Sequence, residues 1–419
     1  MNKRTWLLVG AVITGLILIV LLRPASQPAP VTTPVNPPTR PVVKFVHHLQ
    51  RPLDELPAPS PLPVAQPSET NAASIYRQAF ALYDALSPTN RTILNDWQTN
   101  VDAAVEAELC EQLRPICDLL HQASTVTNCD WGITPLDFDT KLPHLAAARN
   151  LGRAAIWCAA HCRQNEASAA TDDLVATVRF GFQASQGGSL IGYLVNMSIQ
   201  QMAWSYVAAN VAGITAADGQ RLAAAFDDPV FDDAISRALQ QEAGTADRFA
   251  ARLAAMTPAE AYKTVEILEG DGSGRDSQSD VMPVIVDGSL IAAIKAAADL
   301  DRDLARVMTT GSGSEYEDWL QRYDALIGTK PLCNWLLAAI PNVVTKAQGY
   351  EVNRALVEAG LAVAATGTPG LAKHLDPSTG QLFTYQEVPG GFELQSSFQF
   401  KNQPVKMFFP QSAAPPGSP

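Results

Sequence analysis

The sequence predicts a mainly α protein. It reads as an irregular, TPR-like array of helical hairpins, with a small C-terminal antiparallel β-meander and an N-terminal transmembrane helix. Three observations predict this. Apolar residues recur at helical spacing from about residue 70 to about residue 368. The period changes to strand-like alternation only after the turn signal Asp376-Pro377-Ser378-Thr379-Gly380. An uncharged, almost wholly apolar run over residues 6–22 follows Lys3 and Arg4 and is closed by Arg23 and Pro24.

The apolar run comes first. Crossing the hydrocarbon core takes roughly 20 mostly apolar residues, with about 17 as the lower limit. Residues 6–22 supply 17. Trp6 suits the headgroup level, and Lys3 and Arg4 suit the cytoplasmic side. A cleaved signal peptide is the competing reading. Its apolar core usually spans about 7 to 15 residues and ends in a small-residue cleavage site. This run is longer and is followed only by Ala25-Ser26-Gln27, a poor match. The expectation is a single-pass anchor with a cytoplasmic N-terminus and an extracytoplasmic body. Residues 1–23 form the tip and anchor, 24–67 a linker, 68–370 a helical domain, 371–410 a β-module and 411–419 a disordered tail.

The linker holds 13 of the chain's 30 prolines. Proline fixes φ and lacks the amide donor that helices need, so the segment favours extended polyproline II. Fully extended, it reaches on the order of 130 Å. Residues 42–50 (VVKFVHHLQ) interrupt it and are apolar enough to add to a sheet edge or dock on the body. His47 and His48 lie there without a supporting Cys or carboxylate cluster.

Within the body, Ile75, Ala79, Leu82 and Leu86 make the first stripe, which Pro88 ends. Val101, Val105, Leu109 and Leu113 make the next. Pro115 then kinks that helix or starts a new one. The clearest hairpin pairs a helix over 142–164 with one over 168–185, and a third helix follows over 190–211. Further helices are expected at 217–226, 230–255, 258–268, 289–308, 314–326 and 342–365. No 34-residue period repeats, so the array is not a regular TPR domain. The loop 270–280 begins Asp271-x-Ser273 like a calcium loop, but Arg275 stands where an oxygen ligand is needed and no Glu occupies the twelfth place, so it reads as a solvated loop. Toward the C-terminus, residues 382–387 and 392–396 alternate as strands, and 398–400 and 405–409 add one or two more.

Charge excludes one class of partner. The chain carries a formal −12, while residues 1–66 hold six Lys or Arg against two Asp or Glu. The acid is therefore concentrated in the body, which repels phosphate backbones, and no nucleic-acid-binding motif appears. At 47% hydrophobic residues the chain can bury a substantial core.

Six cysteines stand at 110, 117, 129, 158, 162 and 333. Outside the cytoplasm an even count permits disulfides. Cys110, Cys117, Cys129, Cys158 and Cys162 are disulfide or structural candidates, and pairing of Cys158 or Cys162 with Cys110, Cys117 or Cys129 is one open reading. Buried thiols are another, because free Cys packs as a small hydrophobe. A third is metal binding. Cys158, His161 and Cys162 lie at i, i+3 and i+4 and offer soft ligands to zinc or copper.

Other chemistry finds no footing. There is no nucleophile elbow, no His-Glu-x-x-His and no P-loop, and no cofactor is implied. Gly187-Gly188-Ser189 opens a helix and reads as a hinge or, less simply, an anion cradle. Asp172-Asp173, Asp227-Asp228 and Asp232-Asp233 read as helix caps and first-turn charges. Trp131 reads as an anchor for an inter-helix loop.

Three pieces carry a resemblance: Cys129-Asp130-Trp131-Gly132, the helix start LPHL at 142–145, and Asp376-Pro377-x-Thr379-Gly380 followed by Tyr385, Gly391-Phe392 and Leu394. In their order along the chain they resemble the uncharacterised, membrane-anchored, helix-rich proteins of planctomycete-type bacteria. The C-terminal pattern is also similar to the β-module of type II secretion pseudopilins, although the apolar run lacks the Glu such assembly needs. The resemblance implies an architecture and no activity. The resulting expectation is a non-enzymatic scaffold that binds an envelope protein or peptide. The alternatives are an envelope hydrolase or metal-dependent enzyme with an unfamiliar site, and a secretion-apparatus accessory protein.

Overall fold

The computed structural model describes residues 71–133, 137, 140–163, 166–226, 234–269, 283–310, 313–329 and 340–411. The expected anchor, the proline-rich linker with residues 42–50, the loop 270–280, Cys333, the acid pairs at 227–228 and 232–233 and the tail beyond Gln411 lie outside them. Among the described residues, no helix is long and apolar enough to cross a membrane.

The described chain is mainly helical, with a small antiparallel sheet at its C-terminal end. Helix α1 (Ala72–Ala85) starts at Asn71, whose side chain accepts from the Ala73 amide at 3.0 Å. This satisfies one of the donors that every helix leaves open at its start. Ser87 does the same for the short α2 (Pro88–Ile93), with Pro88 pre-set for the first turn. Helix α3 (Ala103–Ser124) continues through Pro115 as one element. Leu109 and Leu113 before the proline, and Ile116, Cys117 and Leu120 after it, are buried on one face. That packing offsets the missing hydrogen bond.

Three long helices follow: α4 (Pro143–His161), α5 (Ala167–Ala184) and α6 (Leu190–Ala209). They pack on one another, and α3 lies against α1, α4 and α5. Beyond α7 (Ala216–Phe226), the long α8 (Ala234–Ala254) and α10 (Ser289–Thr310) form the most extensive helix pair, with α9 (Pro258–Glu269) between them in sequence. Helix α11 (Gly313–Thr329) is fixed to α10 by the Trp319 indole, which donates to the Leu300 carbonyl at 2.8 Å. The longest helix, α12 (Ile340–Thr366), carries the sheet.

Two short strands, β1 (Leu375–Asp376) and β2 (Gln381–Leu382), flank the turn that the sequence signalled. The Asp376 carboxylate is buried there. It accepts from the Ser378 amide at 2.9 Å and the Ser378 hydroxyl at 2.7 Å. It also accepts from the Ser396 hydroxyl at 2.9 Å and the Ser397 amide at 2.8 Å, which ties the turn to the main sheet. That sheet runs β3 (Thr384–Val388), β4 (Gly391–Phe400) and β5 (Gln403–Pro410), all antiparallel. The expected breaks within β4 are absent, and a register shift between Gln395 and Gln399 takes their place. Lys401 and Asn402 both adopt positive φ, at 52° and 62°, as a two-residue hairpin matched to strand twist requires.

Phe392, Leu394, Phe398 and Phe409 of the sheet share one buried cluster with Trp204 of α6 and Tyr350 and Val357 of α12. Gly360 makes this possible. A Cβ at that position would stand 2.1 Å from the Phe409 ring, so only glycine allows the ring to lie on the helix.

Candidate functional site

The densest chemistry lies where α3, α4 and α5 meet. Cys117 of α3, Cys158 of α4 and Asp173 of α5 bring their ligating atoms within 4.8 Å of one another. They are 2%, 2% and 0% exposed. Both cysteines are free thiols. The contact with Cys158, and then burial, push the Cys117 thiol well above its ordinary pKa.

Asp173 is the charged member. The Arg163 Nε donates to its Oδ2 at 3.3 Å, and His121 Nε2 stands 2.7 Å from its Oδ1. The second contact is an ion pair between a partly exposed imidazole and a fully buried carboxylate. Asp173 raises the His121 pKa, against a burial that lowers it. The His121 side chain is 36% exposed and so links the cluster to the surface.

Nearby, Cys110 of α3 and Cys162, the residue that caps the end of α4, form a disulfide with Cα atoms 5.5 Å apart. This pair is among those the sequence left open. It corrects the expected metal trio of Cys158, His161 and Cys162, because the Cys162 sulfur is committed to Cys110. His161 is committed as well. Its Nδ1 faces Glu106 Oε1 and its Nε2 faces the Trp97 carbonyl, both at 2.8 Å, and its ring stacks on Trp157 at 4.2 Å. Both ring nitrogens thus face oxygens of the protein and not an open ligand position.

Asp173 also departs from its sequence reading. Asp172 fits a solvated charge and pairs with Arg221. Asp173 faces inward and serves the cluster. The available signal was Cys117-x-x-x-His121, two ligand types one turn apart on one helix face. Asp173, across the bundle in a different helix, carried no such signal.

Gly187-Gly188-Ser189 is no anion cradle. The Ser189 hydroxyl accepts from the Gly192 amide at 3.0 Å, and the Glu242 carboxylate accepts from the Leu190 amide at 2.9 Å. The helix start is thus filled by the protein's own oxygens.

Trp131 is 5% exposed and lies in the loop between α3 and α4. Its indole donates to the Gln183 carbonyl at 2.8 Å, and its ring stacks on His144 at 4.4 Å. Asn71 reaches across to accept from the Asp130 amide at 2.9 Å and donate to the Asp130 carbonyl at 2.7 Å. Cys129 packs beside them, its thiol pushed up to about 12, first by burial. The Cys129–Gly132 stretch is therefore a knot of structural contacts.

The chain matches no family model, no curated protein and no solved structure. What it does must come from its own surfaces.

One such surface is open and apolar. A groove of about 430 Å³ runs between the C-terminal end of α6, at Ser205, Ala208 and Ala209, and β5, at Lys406, Met407 and Phe408. Phe408 is 45% exposed at its rim. Among the described residues β5 pairs with β4 alone, which leaves it an edge of the sheet.

Proposed function

We propose that the chain is a membrane-tethered, extracytoplasmic helical scaffold that binds an envelope protein or peptide. In this reading residues 6–22 anchor it, the proline-rich linker spaces it from the bilayer, and an irregular TPR-like hairpin array carries the β-meander. The observation that carries the binding role is the groove between α6 and β5. Exposed aromatic and aliphatic side chains beside a sheet edge suit an extended apolar segment, whose backbone pairs with the strand while its side chains enter the groove. The Cys110–Cys162 disulfide supports the extracytoplasmic placement, since such bonds persist in oxidising compartments. The enzyme reading is weaker. Cys117, Cys158 and Asp173 are sealed from any sizeable substrate.

Site-specific photo-crosslinking in cells tests the role. A crosslinker at Phe408 should yield one discrete adduct with an envelope protein, and a crosslinker at Val286, 68% exposed but far from the groove in sequence, should not. A Met407→Asp change should remove the adduct. Equal labelling from both positions counts against the groove, and a C-terminal reporter active only in the cytoplasm counts against the topology.

A further inference from the structure

We propose that Cys117, Cys158, Asp173 and His121 form a zinc site that clamps α3, α4 and α5 together. The donor set is two thiols, one carboxylate and one imidazole, drawn from three helices, which is the ligand chemistry of a closed tetrahedral zinc centre. The geometry is near the requirement. Zinc–sulfur bonds of about 2.3 Å place two thiolates about 3.8 Å apart around a tetrahedral ion. The three buried ligand atoms already lie within 4.8 Å of one another, so closing on the ion takes a contraction of rotamers rather than a movement of helices.

Asp173 supplies the independent observation. Its carboxylate is completely buried beside the two thiols, and its Oδ1 lies 2.7 Å from His121 Nε2, so a carboxylate and an imidazole nitrogen are already paired at the edge of the cluster. An ion that took the place of the imidazole proton would bind both atoms and leave the buried oxygen satisfied. Arg163 keeps Oδ2, which fixes the carboxylate so that only Oδ1 faces the cluster.

Charge balances as well. Zinc brings two positive charges, the two thiols and the His121 Nε2 each release a proton to solvent as they bind, and Asp173 adds a third negative charge. Arg163 cancels the remainder. Without the ion the thiols stay neutral and Asp173 pairs with Arg163 and His121, so the helices can assemble first and load afterwards. His121, partly exposed, marks the access route. The neighbouring Cys110–Cys162 rung is already a disulfide and takes no part.

The test uses the full chain purified in detergent with Cys110–Cys162 intact. Zinc should be retained at one equivalent through desalting. Cobalt(II) in its place should give the intense thiolate-to-cobalt charge-transfer band of a tetrahedral site. Cys117→Ser should abolish that band, while Cys129→Ser, which alters a buried thiol elsewhere, should leave it. His121→Gln sits at the surface and should fold normally by circular dichroism, with zinc affinity reduced at least about 10-fold. The proposal is overturned if the folded chain with its disulfide intact and Cys117 and Cys158 as free thiols retains no zinc, if Cys117→Ser binds cobalt with an unchanged spectrum, or if mass spectrometry of native protein finds Cys117 and Cys158 joined as a disulfide.

Discussion

The layer formed by α1, α3, α4 and α5 and the layer formed by α6, α12 and the sheet bury their helices by different means. Both contain aromatic rings, but the first adds directional links. A disulfide joins α3 to α4, Tyr76 donates to the Gln183 side chain, Gln183 in turn donates to the Val126 carbonyl at 2.6 Å, and Arg163 holds Asp173. The second layer joins its helices and sheet ring against ring, Trp204 on Tyr350 at 4.4 Å, Phe392 on Phe409 at 5.0 Å and Trp204 on Phe226 at 5.9 Å, while its directional links at Asp376 stay within the strands and their turn. The reason lies in side-chain size. Ala148, Ala154, Ala155 and Ala176 line much of the contact between α4 and its neighbours. Each buries little apolar area, at roughly 25 cal/mol per Å². Interlocked Trp, Tyr and Phe rings bury several times more apiece. Specific bonds supply what small side chains cannot.

The strongest way to break this contrast is to open the disulfide. Closing a loop across 52 residues of separation is worth about 4 kcal/mol through the unfolded chain. Cys110→Ser should lower stability by about that amount, read from urea midpoints, and reduction of the wild type should match it. An effect under about 1 kcal/mol would show that packing alone holds the first layer.

The second layer should break by overpacking instead. Gly360→Ala drives a methyl into the Phe409 ring and should cost about 3 kcal/mol. Trimming the ring in the double variant Gly360→Ala, Phe409→Leu should recover part of that loss. Additive losses would mean that the sheet does not depend on this contact.

The smallest effect sharpens the comparison through pH. Burial lowers His144 to about 4, so its ring is neutral in the folded chain while the unfolded chain takes up a proton near 6.5. Its contribution is complete above about pH 6.5 and is lost as pH falls toward about 4. The expected loss is about 2 kcal/mol after allowing for solvent at the ring edge. His144→Gln should remove that part of the slope, measured as the difference between the two proteins' urea midpoints across this range. A slope unchanged in the variant would assign the acid sensitivity elsewhere.

Much of the framework was legible in the sequence. The start of α6 at Leu190, the apolar stripe of α1 and the turn after Asp376 are local signals, because turn residues and apolar period act over a few residues, whereas Pro88, read as a stop for α1, also opens the short α2. The polar clusters were not legible. Asp173 has the same neighbours in sequence as a solvated first-turn charge, and only α3 crossing α5 brings His121 to it. Cys162 looked like a ligand beside His161 until the antiparallel approach of α3 placed Cys110 against it.

By itself, then, the sequence determined the helices, their approximate ends, the switch to strands and the acidic balance of the body. Tertiary structure alone decided which cysteines pair, which acid turns inward, and that the sheet joins the helical core rather than standing apart. The physical reason is range. Backbone propensity and amphipathic period are written within a few residues, whereas thiol pairing, carboxylate burial and ring stacking depend on helices far apart in the chain meeting in one register.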